Sequence, residues 1–277
     1  MKKILLPIFI LLISLDTFAQ LLPKASPLGT STQIVGATEV SVVYSRPGVK
    51  GRSIFGKLLP FGELWRLGAN ACTQFTTSDT LQFGEHFLAP GTYALFAIPN
   101  EKEWEIIFNT DIEQSGTRSY DVKKDVFRMK SSVLKNSFTE TLTLNFEALT
   151  DTSATLVILW DELKIALPFK INTKSVALRN IQQAIDKGED LDQVYGKAAD
   201  YYFNALADDQ KALEFLEKAL AIKESYRNLF LKARILHQQG QKEQAVNLAQ
   251  KALGMAQKEK ALGYAGFISS TLEQWSK

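Results

Sequence analysis

At 277 residues, with 45% apolar and 22% charged side chains, the chain has room for one or two domains with hydrophobic cores and lacks the composition of a disordered protein. A formal net charge of +2 gives no electrostatic footprint for nucleic acid. The lone cysteine, Cys72, excludes an internal disulfide, so burial has to hold the fold.

Residues 1–19, MKKILLPIFILLISLDTFA, read as a secretory signal. Lys2 and Lys3 form its basic start, Ile4 to Leu15 its apolar run, and Thr17 and Ala19 a small-residue cleavage site. The apolar run stops at Asp16, well short of the ~20 residues a membrane-spanning helix needs. The expectation is an exported protein, periplasmic or secreted, whose mature chain starts at Gln20 and does not insert into a membrane. Residues 20–37 are read as a linker.

From 38 to 171 the pattern is one of short strands broken by Gly, Pro, Asn and Asp. SVVYS (41–45), TQFTTS (73–78), TYALFAI (92–98), WEIIFN (104–109), TETLTLNFEAL (139–149), ATLVILW (154–160) and KIALPFKI (164–171) are rich in β-branched and aromatic residues. Leu142, Leu144 and Phe146 alternate with Thr141, Thr143 and Asn145, as on a strand with one buried face. Strands in this number without intervening helical patterns predict an antiparallel β-sandwich domain over 38–171. Cys72 leads into a strand and reads as a buried, inert thiol.

The long connection from Tyr44 to Thr73, YSRPGVKGRSIFGKLLPFGELWRLGANACT, holds most of the chemistry. Gly51 to Lys57 imitates the start of a phosphate-binding loop, but Leu58 stands where Ser or Thr would hold magnesium, and Pro60 stops any helix that would follow. No nucleotide site is expected there. Trp65 offers an apolar face, Arg46, Arg52 and Arg66 offer planar donor forks, and Asn70 is both donor and acceptor. Together with Tyr44 they are the candidate ligand-binding residues, suited to a sugar stacked on indole or to a carboxylate or phosphate gripped by guanidinium. The competing structural reading has Trp65 plugging the end of the sandwich while the arginines bond loop carbonyls and Glu63 or Asp79.

After Asn172 the apolar spacing becomes helical, over 173–187, 190–207, 209–223, 225–239, 241–257 and 258–274, with Gly188 and Gly240 as helix ends. QKALEFLEKALA (210–221) is echoed by EQAVNLAQKALG (243–254), pairing Ala212 with Ala245 and Ala219 with Ala252. Ala233, Ala245 and Ala252 sit at the small-residue spacings of a tetratricopeptide unit, with Asp200 where the preceding repeat should have a small residue. Residues 172–277 are thus similar to a short tetratricopeptide-like array, which makes the whole an α+β multidomain protein. Such a domain serves as a scaffold for a protein partner, or is a helical appendage that packs on the sandwich or serves dimerisation.

The sandwich segment also resembles a family of exported bacterial proteins known as domain of unknown function 2911. The residues that carry the resemblance are Tyr44, Arg46-Pro47, Gly51-Arg52, Ile54-Phe55-Gly56, Pro60-Phe61-Gly62 and Trp65-Arg66-Leu67-Gly68-Ala69-Asn70. Pro90-Gly91-Thr92-Tyr93, Ile98-Pro99, Trp104 and Asp125-x-x-Arg128 extend it. The resemblance spans about residues 34–170 and implies no particular chemistry. Two positions depart from the family pattern: Ala71 replaces an acidic residue, and Ser115 stands near where an aromatic is expected.

No recognisable nucleophile, base, metal set or cofactor motif occurs. His86 and His237 are the only histidines, and neither stands at a catalytic or metal-ligand spacing. The leading expectation is therefore a non-catalytic binding protein for a glycan or an anionic small ligand. The alternatives are a cell-envelope hydrolase using a carboxylate pair, for which Glu63 and Glu85 are available, and a structural or assembly factor.

Overall fold

The computed structural model describes residues 22–276; the signal at 1–19 lies outside the described residues. The chain divides into two compact units, with the boundary after Thr173.

The first unit is built from ten strands: β1 (Leu28–Val35), β2 (Thr38–Ser45), β3 (Thr73–Thr77), β4 (Leu81–Phe83), β5 (His86–Leu88), β6 (Gly91–Ile98), β7 (Glu103–Asn109), β8 (Asp125–Ser132), β9 (Leu134–Glu147) and β10 (Ser153–Ile171). They form two antiparallel sheets, one ordered β1-β2-β3-β6-β7-β8 and the other β5-β4-β10-β9. Their inner faces share one core that includes Val42, Phe75, Phe83, Trp104, Phe108, Leu144, Trp160 and Phe169. On β9 the expected alternation holds: Leu142, Leu144 and Phe146 are buried while their neighbours are not.

The linker expected at 20–37 is corrected, because it contains β1. That strand reads LGTSTQIV, too polar for an apolar-alternation signal, and only Val35 at its end is buried. It is an edge strand, held by its ladder to β2 through a two-residue hairpin loop at Gly36-Ala37. Gly36 takes a φ of +56°, which glycine adopts without the Cβ clash such hairpin turns otherwise impose.

Three strands, β4, β5 and β8, carried no clear signal in the sequence. The stretches 154–160 and 164–171 are one strand rather than two. β10 runs through Asp161, whose φ of +56° accompanies register shifts against β9 between Leu159 and Leu163. A bulge of this kind bends a strand without ending its pairing, and it re-aims the side chains beside it. Trp160 is one of those side chains.

The second unit has six helices: α1 (Thr173–Lys187), α2 (Leu191–Asn204), α3 (Asp209–Ile222), α4 (Tyr226–Gln238), α5 (Lys242–Lys258) and α6 (Leu262–Trp275). Gly188 and Gly240 follow α1 and α4 with φ of +73° and +82°, as left-handed helix ends. Asp208 and Ser225 cap α3 and α4 through their side chains. Ala212, Ala219, Ala233, Ala245 and Ala252 are all fully buried, so the small residues sit where helices meet.

The poor repeat match at Asp200 has a local cause. Asp200 is exposed and Ala199 beside it is buried, so the small residue is present one position earlier. The segment joining α2 to α3 (205–208) is one residue longer than that joining α4 to α5 (239–241), and this displaces the register. Among the described residues no helix is long and apolar enough to cross a membrane.

Candidate functional site

The connection between β2 and β3 forms no strand of its own; it is stitched to the sandwich at single points. Gly48 bridges Thr141 on β9, Phe55 bridges Leu59, and Trp65 bridges Ala97 on β6. Gly51 to Lys57 forms turns, with no helix behind it to receive a phosphate.

Tyr44 is a structural staple. Its hydroxyl accepts a hydrogen bond from the Leu144 N–H at 2.8 Å and donates to the Leu144 carbonyl at 3.2 Å, tying β2 to β9 in the opposite sheet. Arg46 is also committed: Nε donates to the Leu142 carbonyl at 3.1 Å and Nη2 to the Thr143 hydroxyl at 2.9 Å, with the guanidinium over the Tyr44 ring. Its stem crosses Gly29 so closely that a Cβ there would lie 2.6 Å from Arg46 Cδ. Asn70, at a φ of +59°, donates to the Ser26 carbonyl and the Ser45 hydroxyl. These three expected ligand contacts hold the sandwich together instead.

Trp65 is 6% exposed. Two backbone bonds with Ala97, of 2.7 and 2.8 Å, fix its Cα, and its indole N–H donates to the Gly68 carbonyl at 3.0 Å. One face stacks on Trp160 at 5.7 Å and 21°, and Trp104 meets it edge-on at 5.9 Å. Phe55 touches both Trp104 and Trp160. An indole enclosed in this way offers no broad free face, so the stacked sugar expected on Trp65 is replaced by indole-on-indole packing.

Arg52, Trp65 and Arg66 do come together around a cavity of about 390 Å³. The sequence reading missed Lys50, Trp160, Leu58 and Leu59, which line it as well. Trp160 comes from β10 and only the fold brings it here; the bulge at Asp161 is its one local sign. Arg52 donates Nε and Nη2 to the Val49 and Gly48 carbonyls, which fixes the guanidinium plane at the edge of its own loop. Arg66 is half-buried, and its Nε is buried with no protein partner. Leu67, which follows it, is fully buried at a φ of +52°, a left-handed conformation costing about 1–2 kcal/mol in a side-chain-bearing residue. That turn separates Arg66 from Gly68, both of which line the cavity.

The cavity has an unusual balance of polar groups. Its lining carries three cations, Lys50, Arg52 and Arg66, and no carboxylate. The indole N–H groups of Trp160 and Trp104 are buried without a protein partner, and neither is exposed to the cavity. A smaller hollow of about 200 Å³ adjoins it, sharing Trp65 and Arg66 and including Glu63. Glu85 lines neither hollow.

Other candidate groups have packing roles. The Cys72 thiol donates to the Ile112 carbonyl, and burial pushes its pKa up, so it is held as the neutral, unreactive form. His86 stacks on Phe127 at 4.8 Å. Tyr120, Asp125, Arg128 and Glu105 form a second polar cluster: the Tyr120 hydroxyl lies 2.7 and 2.8 Å from the Asp125 oxygens, and Arg128 binds Tyr120, Asp125 and Glu105. Its donors and acceptors satisfy one another, and it ties the loop after β7 to β8. The two departures from the family pattern, Ala71 and Ser115, face each other across an isolated bridge. Neither lines the cavity.

The fold and this site define a two-sheet antiparallel sandwich with a cation-edged cavity under its longest crossing loop, followed by a six-helix array. A family model described as "Protein of unknown function (DUF2911)" matches residues 26–169, more than half of the chain, and the chain belongs to that family. No curated protein and no solved structure matches it.

Proposed function

We propose that this is an exported binding protein that captures a small anionic ligand in the sandwich cavity without chemical turnover. The observation that carries the reading is the lining itself: the three cations Lys50, Arg52 and Arg66 with no carboxylate among the lining residues, Glu140 reaching only the Lys50 backbone N–H from outside it. The Arg52 guanidinium, fixed by two loop carbonyls, is pre-organised for an oxyanion, so less freedom is lost on binding. The cavity volume of about 390 Å³ falls within the range of small-molecule sites. Within the sandwich the hydrolase alternative gains nothing, because neither hollow brings two carboxylates together.

Export rests on the signal-like residues 1–19, and detection of a mature chain beginning at Gln20 in the cell envelope or medium checks it. The helical unit is the proposed partner scaffold. It carries a cavity of about 830 Å³ lined by both signs of charge, including Lys197, Asp200, Arg227 and Arg234.

Calorimetric titration of the purified protein with acetate, phosphate, sulfate and glucuronate tests the ligand reading. At least one anion is expected to bind, with affinity falling as ionic strength rises. Lys50→Gln, an exposed substitution, is expected to weaken that binding several-fold while leaving the melting temperature unchanged. Silence towards every anion would leave the structural reading of the loop standing.

A further inference from the structure

The cavity of the helical unit has a polar group that the protein itself leaves unpaired. Asn228, in the first turn of α4, is 9% exposed, and its backbone N–H is taken by the Ser225 hydroxyl at 3.2 Å. Its side-chain amide has no hydrogen-bond partner among the described residues, yet neither amide atom is sealed from solvent, and Asn228 lines the cavity of about 830 Å³. Gly196 of α2 fixes where that amide lies. A glycine inside a helix is destabilising relative to alanine, and here a Cβ would stand 2.5 Å from Asn228 Oδ1 and 3.1 Å from Nδ2. α2 thus lacks a side chain where the planar amide of α4 lies against it.

The walls around the amide are balanced in charge, with four lysine or arginine side chains and four carboxylates. Part of that charge is engaged within the unit: Asn204 donates to Asp200 at 2.7 Å and accepts from Arg234 at 3.2 Å, and Lys251 donates to Glu224 at 2.6 Å. A small ion of either sign would meet its own charge as often as the opposite one. A peptide segment docks through apolar or aromatic anchors seated in pockets, but Leu231 is the one aliphatic residue of this lining, and the Tyr226 and Tyr264 rings lie under the Arg227 guanidinium at 5.4 and 5.0 Å. A neutral polyol needs neither a net field nor an apolar anchor. Each of its hydroxyls donates and accepts, and a primary amide presents an acceptor and a donor side by side, which two adjacent hydroxyls complement.

We infer that this cavity is a carbohydrate site for a short neutral oligosaccharide, with two adjacent hydroxyls paired to the Asn228 amide and the others to the charged side chains around it. Its volume falls within the range of small-molecule sites. The inference is independent of the anion reading of the sandwich. It gives this cavity to a sugar and leaves a protein partner of the unit to its other surfaces.

The full protein is titrated by calorimetry with maltotriose, cellotriose and triacetylchitotriose, and with a peptide of alternating Lys and Glu as the competing occupant. At least one sugar is expected to bind, with an affinity that does not fall as ionic strength rises, because a neutral ligand has no charge to screen. Silence towards all three sugars, or the peptide binding more tightly than any of them, would overturn the inference. Asn228→Ala removes the amide without stranding a protein partner, and is expected to weaken the sugar about tenfold. Gly196→Ala keeps the amide but drives it from its seat, and is expected to weaken the sugar several-fold. Wild-type sugar affinity in folded Asn228→Ala, or in Gly196→Ala where the asparagine variant does not fold, would overturn the assignment of the site.

Discussion

At the residue scale, the segment between β2 and β3 sorts its conspicuous side chains into fasteners and cavity walls. Tyr44, Arg46 and Asn70 bond backbone or hydroxyl groups across the sandwich, whereas Arg52, Trp65 and Arg66 surround the hollow. Sequence alone presents all six in the same way, because a phenol or a guanidinium looks identical whether its partner is a ligand or a carbonyl a hundred residues away. Tyr44→Phe is expected to cost about 1–3 kcal/mol of unfolding free energy, since it strands the Leu144 N–H inside the core. Trp65→Ala should cost about 3–5 kcal/mol by opening a void among Trp104, Trp160 and Phe55. Denaturant titration measures both, and a change under ~0.5 kcal/mol, the usual size for an unremarkable surface position, would place either side chain outside the core.

At the element scale, most strands and all six helices were legible because their apolar periods survive in the sequence. β1 was not, since an edge strand with almost no buried face has no apolar alternation to display. β10 was read as two strands because the bulge at Asp161 interrupts its pattern where the chain bends. Trp160 is beside that bulge, and only the fold brings it to the cavity.

The loop after β7 supplies a pH test. Burial first, and then bonding to Asp125, pushes the Tyr120 phenol from its ordinary value near 10 up to about 12. Folding therefore favours the protonated phenol: its contribution is complete below pH 10 and is lost as pH rises towards 12. The melting temperature should drop through that window, and Tyr120→Phe should shrink the drop while lowering stability at neutral pH by about 1.5–3 kcal/mol for the hydrogen bonds to a charged group. Burial also raises Tyr93 and Tyr264, so part of the alkaline loss should remain in the variant. In the helical unit, Ala252→Leu should cost about 1–3 kcal/mol, because nothing at that fully buried contact can move aside cheaply.

At the scale of the whole molecule, each unit has its own buried clusters, the sandwich core on one side of Thr173 and two helical clusters on the other. Residues 22–173 expressed alone are expected to unfold cooperatively; a broad, featureless transition by circular dichroism would show that the sandwich depends on the helices. The change of period after Asn172 made this division readable in the sequence. The cavity was readable only in part, since its walls come from the β2–β3 loop, β10 and the residues before β1. Composition cannot bring those together.

The most direct test is calorimetric titration of the wild-type protein and of Lys50→Gln with acetate, phosphate, sulfate and glucuronate. The cavity as described here predicts saturable binding of at least one anion that weakens several-fold in the variant, because Lys50 is one of the three lining cations. No binding by any of the four, or equal affinity in the two proteins, would contradict it.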